Sequence, residues 1–232
     1  MNLSERLLGI ISFVKSDSIV LDIGTDHGYI PVYLTENGIS KKVIASDISS
    51  GSLKKAKQYA KLRGLEHKIN IRLGNGLEVL KPYEVDTVII AGMGGFLIKE
   101  ILENNYKKAE TINNFILQPM VASKELRMYL YNNNFTIIDE KIVIEEDKYY
   151  EIISAKWGKD FIEDDIFYEF SKPLLKRRDP LLKDYIQNKI VKLNEIITSL
   201  DIEKSEKAQM RKEELSIEIN KYKDVLSIYE SY

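Results

Sequence analysis

The chain has 232 residues, of which 44% are hydrophobic and 30% are charged, and its formal net charge is -2. The absence of cysteine excludes disulfides, zinc–thiolate sites and a cysteine nucleophile, and no apolar run reaches the roughly 20 residues of a membrane span. The composition excludes a globally basic nucleic-acid binder. It indicates a cytoplasmic α/β domain with an appendage, and we expect no metal, no membrane association and no obligate protein partner.

Strands and helices are predicted to alternate through the first part of the chain. Apolar residues spaced as on one helix face predict a first helix over 3–14, and a β-branched run predicts a first strand at 19–23. The further predicted strands are 42–48, 69–73, 85–91 and 115–117, and the further predicted helices are 28–37, 50–63 and 96–104. This alternation predicts a parallel sheet with helices on both faces.

Two more strand-like runs, 135–144 and 149–157, are separated by only a short polar link. So short a link permits an antiparallel β-hairpin but no crossover helix. Five alternating units closed by such a hairpin resemble the Rossmann-like sheet of class I S-adenosylmethionine-dependent methyltransferases. The predicted fold class is therefore α/β.

The sequence changes character after residue 160, where glycine disappears and charged residues dominate. We therefore place a methyltransferase domain at 1–160 and a helical domain at 161–232. Two apolar series spaced by three and four residues predict an antiparallel helical hairpin of coiled-coil type. The first series is Ile186, Ile190, Leu193, Ile197 and Leu200, and the second is Leu215, Ile219, Tyr222, Leu226 and Tyr229. The alternative is one bent helix packed on the sheet domain.

The strongest candidate site follows the first strand, where Asp22 precedes a turn that contains Gly24 and Gly28. Glycines there let a ligand approach the backbone, and an acid at a strand end suits a cationic or hydroxylated group. Asp47 ends the second strand, where a carboxylate accepts hydrogen bonds from ribose hydroxyls. The structural alternatives are an ordinary turn at the glycines and a helix cap at Asp47.

Later turns offer weaker candidates. Asn75 either binds an adenine edge, with Leu77 against the ring, or is a left-handed turn residue. The small residues of 91–95 either admit a flat base or permit close packing of helix on strand. Gln118 either binds a base edge or satisfies loop backbone, and a lone histidine such as His27 is more often structural than catalytic.

Two stretches are locally basic. Lysines and arginines outnumber acids between Lys41 and Arg72, and again between Lys172 and Lys192. Such runs usually form solvated helix faces, but they also suit contacts with nucleic-acid phosphates. We expect these two surfaces to contact RNA.

Seven short motifs are spread over nearly the whole chain. In order they are Leu3-Ser-Glu-Arg-Leu, Asp22-Ile-Gly-Thr-Asp-His-Gly-Tyr, Asn75-Gly-Leu, Ile90-Ala-Gly-Met-Gly-Gly, Leu117-Gln-Pro, Leu126-Arg and Glu145-Glu-Asp-Lys-Tyr-Tyr-Glu-Ile. Together they resemble the bacterial tRNA (adenine-22, N1)-methyltransferases. The resemblance implies methyl transfer from S-adenosyl-L-methionine to ring nitrogen 1 of an adenine in the D-arm region of tRNA.

The resemblance and the turn positions together give the candidate site. The candidate cofactor-binding residues are Asp22, Gly24, Asp26, His27, Gly28, Asp47, Ile48, Asn75, Gly76, Leu77, Ala91 and Gly92. The candidate substrate-binding residues are Arg6, Tyr29, Met93, Gly94, Gln118, Pro119, Arg177 and Arg178. Asp26, as a stabiliser of the cationic product, and Tyr29, as a stacking partner of the acceptor base, are the candidate catalytic residues.

Two other functions stay open on the residues alone. One is a methyltransferase that acts on another RNA, a protein or a small molecule, and the other is a non-catalytic RNA-binding module on the same fold. A nicotinamide-dependent oxidoreductase is disfavoured, because the turn from Gly24 to Gly28 lacks the Gly-x-Gly-x-x-Gly spacing that holds a pyrophosphate.

Overall fold

The computed structural model describes residues 3–201 and 205–230. Contacts divide the chain into two compact units, Met1–Pro173 and Leu174–Tyr232. The first unit contains the whole β-sheet, and the second is helical. The boundary predicted at residue 160 therefore lies inside the sheet unit.

Residues 161–173 belong to the sheet unit because their apolar side chains pack on its core. Ile162 and Tyr168 lie against the main apolar cluster, and Phe170 and Ser171 are fully buried. The predicted boundary at residue 160 precedes the end of the sheet unit at Pro173. The acidic stretch around Glu163 has the composition of a linker, but the residues on both sides of it pack on the sheet unit.

The sheet has seven strands in the order β3-β2-β1-β4-β5-β7-β6. The strands are β1 Ser18–Ile23, β2 Ser40–Asp47, β3 Ile69–Leu73, β4 Thr87–Met93, β5 Asn114–Pro119, β6 Phe135–Glu145 and β7 Lys148–Trp157. Strands β1 to β5 pair in parallel, whereas β7 is antiparallel to both β5 and β6. This arrangement confirms the predicted parallel sheet followed by a hairpin.

The helices that the sequence predicted are present with shorter or slightly shifted ends. The helices are α1 Glu5–Ile11, α2 Tyr29–Glu36, α3 Ser50–Leu62, α4 Gly95–Glu103, α5 Tyr106–Ala109, α6 Ser123–Asn132, α7 Ile166–Glu169, α8 Lys172–Arg177, α9 Leu182–Leu200 and α10 Glu206–Glu230. A 3₁₀ helix spans Gly76–Val79. The sequence analysis missed α5, α6, α7 and α8. In α6 the apolar pattern is interrupted because Arg127 occupies a fully buried position.

Both faces of the sheet are covered, as expected for parallel strands. Alternate residues of one strand point to opposite faces, so Leu21 and Ile90 lie in one apolar cluster while Val20 and Ile89 lie in the other. Helices α4 and α6 contribute to the first cluster, and α1 and α2 contribute to the second. The carboxyl ends of the parallel strands are thus fixed on a rigid platform.

The β6–β7 hairpin turns at Glu146 and Asp147, whose φ angles are 49° and 60°. Two consecutive left-handed residues match the twist of the flanking strands. Midway along its strands the hairpin is held by a buried ion cluster, in which Arg127 pairs with Glu140 of β6 and Glu151 of β7. Arg127 also donates to the Tyr168 carbonyl at 3.2 Å.

The helical unit contains α9 and α10, which contact each other. Ile186, Leu215, Ile219 and Tyr222 of the predicted apolar series are buried, and Val225 joins them. Helix α9 ends at Leu200 and α10 begins at Glu206, so two helices replace the alternative of one bent helix. Coiled-coil geometry stays a prediction.

Candidate active site

A cavity of about 640 Å³ opens beside the carboxyl ends of β1 and β4. This is the edge at which parallel α/β sheets bind ligands. Its lining residues are Leu3, Ser4, Arg6, Leu7, Asp22, Gly24, Thr25, Asp26, His27, Tyr29, Ile30, Tyr59, Ala91, Gly92 and Glu145. The cavity therefore unites predicted cofactor and substrate residues that lie far apart in the sequence.

The turn after β1, residues 22–28, is called here the β1 turn. The backbone N–H groups of Gly24 and Thr25 both donate to the Ser46 carbonyl, at 2.8 and 3.0 Å, which fastens the turn to the end of β2. Gly24 has a φ of +73°, and a Cβ there would lie 2.3 Å from the Met93 Cε. A side chain at Gly24 would thus strain the backbone and displace Met93.

Gly28 ends the β1 turn and forms the N-cap of α2 with a φ of +74°. A Cβ at this position would lie 3.0 Å from the Cβ and 3.1 Å from the Cα of Ala56 in α3. The glycine therefore allows α2 and α3 to approach each other. Gly28 determines the shape of the turn but does not itself line the cavity.

Asp22 is the buried acid of the site, with only 4% of its surface exposed. Burial raises the pKa of its carboxyl to about 7, because removal from water disfavours the charged form. The Thr25 hydroxyl lowers the pKa of Asp22, whereas the nearby Asp47 carboxylate raises it further. A buried carboxyl in this state gains a strong partner when a cationic ligand enters the cavity.

Asp26, His27 and Tyr29 form a polar and aromatic edge of the cavity. Asp26 lies 3.3 Å from the His27 Nε2 and 3.7 Å from the Lys55 Nζ. The His27 and Tyr29 rings are stacked with centroids 5.4 Å apart, and the Tyr59 ring meets Tyr29 edge-on at the same separation. Tyr29 keeps 43% of its surface exposed, so one ring surface remains accessible to a ligand.

Asp47 and Ile48 lie at the end of β2, outside the lining of the cavity. The Asp47 Oδ1 accepts a hydrogen bond from the Ser49 backbone N–H at 2.7 Å, and Ser49 in turn caps α3. Ile48 is 74% exposed. The N-cap of α3 is therefore Ser49, so the interpretation of Asp47 as the helix cap is wrong, and the second Asp47 carboxylate oxygen is not used by the Ser49 bond.

The predicted adenine turn differs from expectation in two ways. Asn75 is exposed and extended, with φ -96°, so the left-handed conformation expected of a turn asparagine belongs instead to Gly76, with φ +53°. Leu77 is completely buried in the core. A side chain with no exposed surface cannot lie against a ligand ring, so that interpretation of Leu77 is wrong.

The predicted substrate residues after β4 and β5 divide into two groups. Ala91 and Gly92 line the cavity, whereas Met93, Gly94, Gln118 and Pro119 do not. Gln118 is fully buried, and its Oε1 accepts the Gly92 N–H at 3.1 Å. The structure therefore supports the second interpretation of Gln118, as a residue that satisfies loop backbone, and contradicts contact with a base edge.

Arg6 reaches the cavity from α1, the only helix before β1 in the described residues. Its Nη1 donates to the Gln118 Oε1 at 2.9 Å, and its Nε donates to the Glu145 Oε2 at 3.2 Å. We call this group, Arg6 with Gly92, Gln118 and Glu145, the Arg6 wall. Glu145 belongs to one of the sequence motifs but was not predicted as a site residue, and neither were Tyr59 and Thr25.

Gly9 of α1 lets this helix lie close beside the β6–β7 hairpin. A Cβ on Gly9 would lie 2.6 Å from the Ile152 Cδ1 and 2.8 Å from the Val143 Cγ1. Ser4 caps the helix by accepting the Leu7 N–H at 3.5 Å. Close packing of α1 on β6 and β7 is what lets Arg6 meet Glu145.

The predicted basic surfaces are partly neutralised. Arg63 pairs with Glu36, Arg72 pairs with Glu84, and Lys41 lies 3.8 Å from Asp17. A second cavity of about 660 Å³ at the amino ends of β2 and β3 is nevertheless lined by Lys41, Lys42, His67 and Lys68 among others. In the helical unit Arg177 pairs with Asp179 at 3.0 Å, and Arg178 has a left-handed backbone.

The described ranges 3–201 and 205–230 contain neither a metal-binding cluster nor a membrane-spanning helix. No cluster of three or more histidines or acids suited to a metal ion occurs in them. No helix within them has the length and apolar character needed to cross a membrane.

The sheet order, the glycine turn after β1 and the acid-lined cavity define a Rossmann-like methyltransferase. The chain belongs to the methyltransferase domain family, which matches residues 3–153, and within it to the tRNA (adenine(22)-N(1))-methyltransferases.

One sequence relative and two solved structures illustrate this membership. The Bacillus subtilis tRNA (adenine(22)-N(1))-methyltransferase is 38% identical over 158 residues, which span 68% of this chain and 66% of that relative, just under two thirds of its length. The crystal structure of B. subtilis M1A22 tRNA methyltransferase TrmK has a TM-score of 0.85 and 30% identity, over 97% of this chain and 99% of that one. M. capricolum TrmK, solved with S-adenosyl-homocysteine, has a TM-score of 0.82 and 30% identity, over 98% and 99%.

Proposed function

We propose that the protein transfers a methyl group from S-adenosyl-L-methionine to N1 of adenine-22 in tRNA. The observation that carries the proposal is the cavity in which a buried acid, Asp22, and the open backbone of Gly24 and Gly92 meet. The relatives support it, because the B. subtilis protein bears this activity in its name and M. capricolum TrmK was solved with the natural cofactor product.

The cavity fits the cofactor by the chemistry of its lining. Asp22 suits the ammonium of the methionine part, and Gly24 provides a cradle that a Cβ would fill. Asp47, Ile48, Asn75 and the Gly76 backbone belong to the proposal as partners of the ribose and adenine. When bound, the cofactor supplies a sulfonium methyl group, which forms a bond to the N1 lone pair while the S–CH₃ electron pair stays on sulfur.

The protein's own residues have no proton to remove before this reaction, because N1 of neutral adenine carries none. Their tasks are to position the base and to exclude water, which together supply several kcal/mol. We assign base stacking to the exposed ring of Tyr29 and stabilisation of the cationic product to Asp26. Asp26 already contacts Lys55 and His27. We therefore expect it to stabilise the cationic product less than an unpaired acid would.

Contacts with tRNA phosphates are proposed for both units. In the sheet unit, the second cavity at the amino ends of β2 and β3 is lined by Lys41, Lys42 and Lys68. In the helical unit, Arg177 and Arg178 are the candidates. The proposal places the encounter in the cytoplasm, where tRNA is made, and it includes no metal.

Methyl transfer from labelled S-adenosyl-L-methionine to unmodified tRNA transcripts tests the proposal. We expect label in tRNA, and much less label when Asp22→Asn protein is used at the same cofactor concentration, set below the wild-type dissociation constant. Label found only in proteins or small molecules of an added extract would favour the other methyltransferase activities. Tight cofactor binding without any transfer would favour an RNA-binding module.

A further inference from the structure

The Arg6 wall contains the Glu145 carboxylate, whose orientation is fixed by Arg6 and, through Arg6, by Gln118. The Arg6 guanidinium is held by the Gln118 Oε1, and that same oxygen accepts the Gly92 N–H at the end of β4. Gln118 is itself anchored, because its Nε2 donates to the Pro119 carbonyl at 2.9 Å. The guanidinium also lies over the Tyr150 ring, 5.5 Å from its centroid.

Glu145 projects from this support into the cavity. Its Oε2 accepts from the Arg6 Nε at 3.2 Å, and among the described residues its Oε1 has no hydrogen-bond partner. The Glu145 side chain is about a quarter exposed. A carboxylate with one oxygen bound and one oxygen open toward a cavity is an acceptor for a polar N–H of a ligand.

The position of Glu145 relative to Gly92 favours the methyl acceptor as that ligand. The Arg6 Nη1 lies 4.0 Å from where a Gly92 Cβ would be, and nothing else lies within that distance. Glu145 is therefore close to the open backbone after β4, whereas Asp22 and Asp26 belong to the β1 turn. Glu145 and Asp22 thus lie on different walls of one cavity, and the proposed function assigns Asp22 to the cofactor.

We infer that Glu145 accepts a hydrogen bond from the exocyclic amine of the target adenine and thereby selects adenine over guanine. This inference rests on the proposed function. An adenine presents the N6 amine beside N1, whereas a guanine presents a carbonyl oxygen there, which a carboxylate repels. Arg6 is a positioning residue, since it sets the direction of the Glu145 carboxylate without touching the base.

The same contact assists the reaction. Methylation at N1 places a positive charge on the ring that is shared with the N6 amine, and a carboxylate bound to that amine stabilises the charge as it develops. The Arg6 guanidinium, bound to the other carboxylate oxygen, reduces this stabilisation without abolishing it.

The test compares tRNA transcripts that carry either adenine or purine, which lacks the amine, at the methylated position. For the wild-type protein we expect kcat/KM to be about tenfold to a hundredfold lower with purine, the usual size of a charged hydrogen bond. In Glu145→Ala this preference shrinks by about tenfold, and the remainder reflects the weaker nucleophilicity of purine N1, while Glu145→Gln is intermediate. Affinity for the two transcripts, measured with S-adenosyl-homocysteine present, should change in the same order.

Glu146→Gln is the matched control, because it removes the same charge one residue further along, where the side chain is exposed and does not line the cavity. It should keep the full preference for adenine. Unchanged S-adenosyl-L-methionine affinity shows that each variant is folded, and if Glu145→Ala fails that criterion, Glu145→Gln carries the test. A full adenine preference in the folded Glu145 variants overturns the inference, whereas failure of the wild-type protein to methylate the adenine transcript overturns the proposed function.

Discussion

The β1 turn and the Arg6 wall line the same cavity but are built in different ways. The β1 turn is one continuous segment, residues 22–28, and its shape depends on two left-handed glycines and bonds to Ser46. The Arg6 wall takes one residue each from α1, β4, β5 and β6. The comparison teaches that a continuous turn can be identified from a short motif, whereas a wall assembled from distant elements requires the tertiary structure.

The largest expected effect concerns the support of the wall. Arg127→Ala leaves Glu140 and Glu151 buried without their cation, and breaking a buried ion pair in this way costs about 3–5 kcal/mol of the free energy of unfolding. Urea denaturation followed by Trp157 fluorescence measures the loss, since this residue is the single tryptophan and packs on Tyr106 and Phe135 at the hairpin base.

Lys124→Ala is the control for Arg127→Ala. Lys124 lies on the same helix and is half-exposed, and its removal affects one buried carboxylate, Glu169, so it should cost about 1–2 kcal/mol, less than Arg127→Ala. Equal midpoints for the two variants would show that the buried cluster does not support the hairpin.

The next effect concerns the β1 turn. Asp22→Asn keeps the size of the side chain and removes its charge, so the affinity for S-adenosyl-L-methionine should fall roughly 10- to 150-fold, equivalent to about 1.5–3 kcal/mol for a charged hydrogen bond. Isothermal titration calorimetry gives the dissociation constant. Asp17→Asn makes the same change at an exposed residue paired with Lys41 and should leave the affinity unchanged. A dissociation constant for Asp22→Asn within twofold of the wild-type value would remove this acid from the cofactor site.

The pH dependence of cofactor binding also tests the role of Asp22 in the cofactor site. The Asp22 carboxyl has a raised pKa of about 7, so in the free protein it is largely protonated below pH 7. A cationic ligand favours the ionised form, and binding must then release a proton. The affinity should therefore fall by up to about tenfold per pH unit below 7 and level off above it. Calorimetry in two buffers of different ionisation enthalpy detects the proton, and Asp22→Asn should show neither effect.

The smallest effect is expected at the edge of the turn. Tyr29→Ala removes a ring that is stacked on His27 and exposed to the cavity, and we expect kcat/KM for tRNA to fall about two- to tenfold. Tyr29→Phe keeps the ring and should stay within twofold of the wild-type value. If the alanine variant methylates tRNA at the wild-type rate, Tyr29 does not stack on the acceptor base.

The difference between continuous segments and groups of distant residues also explains which parts of the fold could be predicted from the sequence. Strands such as β1 and β4 were predictable because buried β-branched runs end at glycine, as at Ile23–Gly24 and Ala91–Gly92. Helix α6 was not, because its core-facing positions include Arg127, whose burial is possible only with two glutamates from β6 and β7.

Within the site, Asp22 and Gly24 were predictable from local chemistry. Glu145 was not, because its partner Arg6 lies at the other end of the sheet unit's sequence. Gln118 was assigned to the substrate on its position alone, and only the structure shows that its side chain is buried beneath Gly92. Sequence position places a residue at a strand end, but it does not decide which way the side chain points.

The identity and position of the methylated nucleoside test the central claim most directly. Full-length tRNA transcripts are methylated by the wild-type protein, digested, and mapped by mass spectrometry against a transcript with guanine at position 22. The account predicts 1-methyladenosine at position 22 and no product with the guanine transcript. N6-methyladenosine, methylguanosine, or 1-methyladenosine at another position would contradict it.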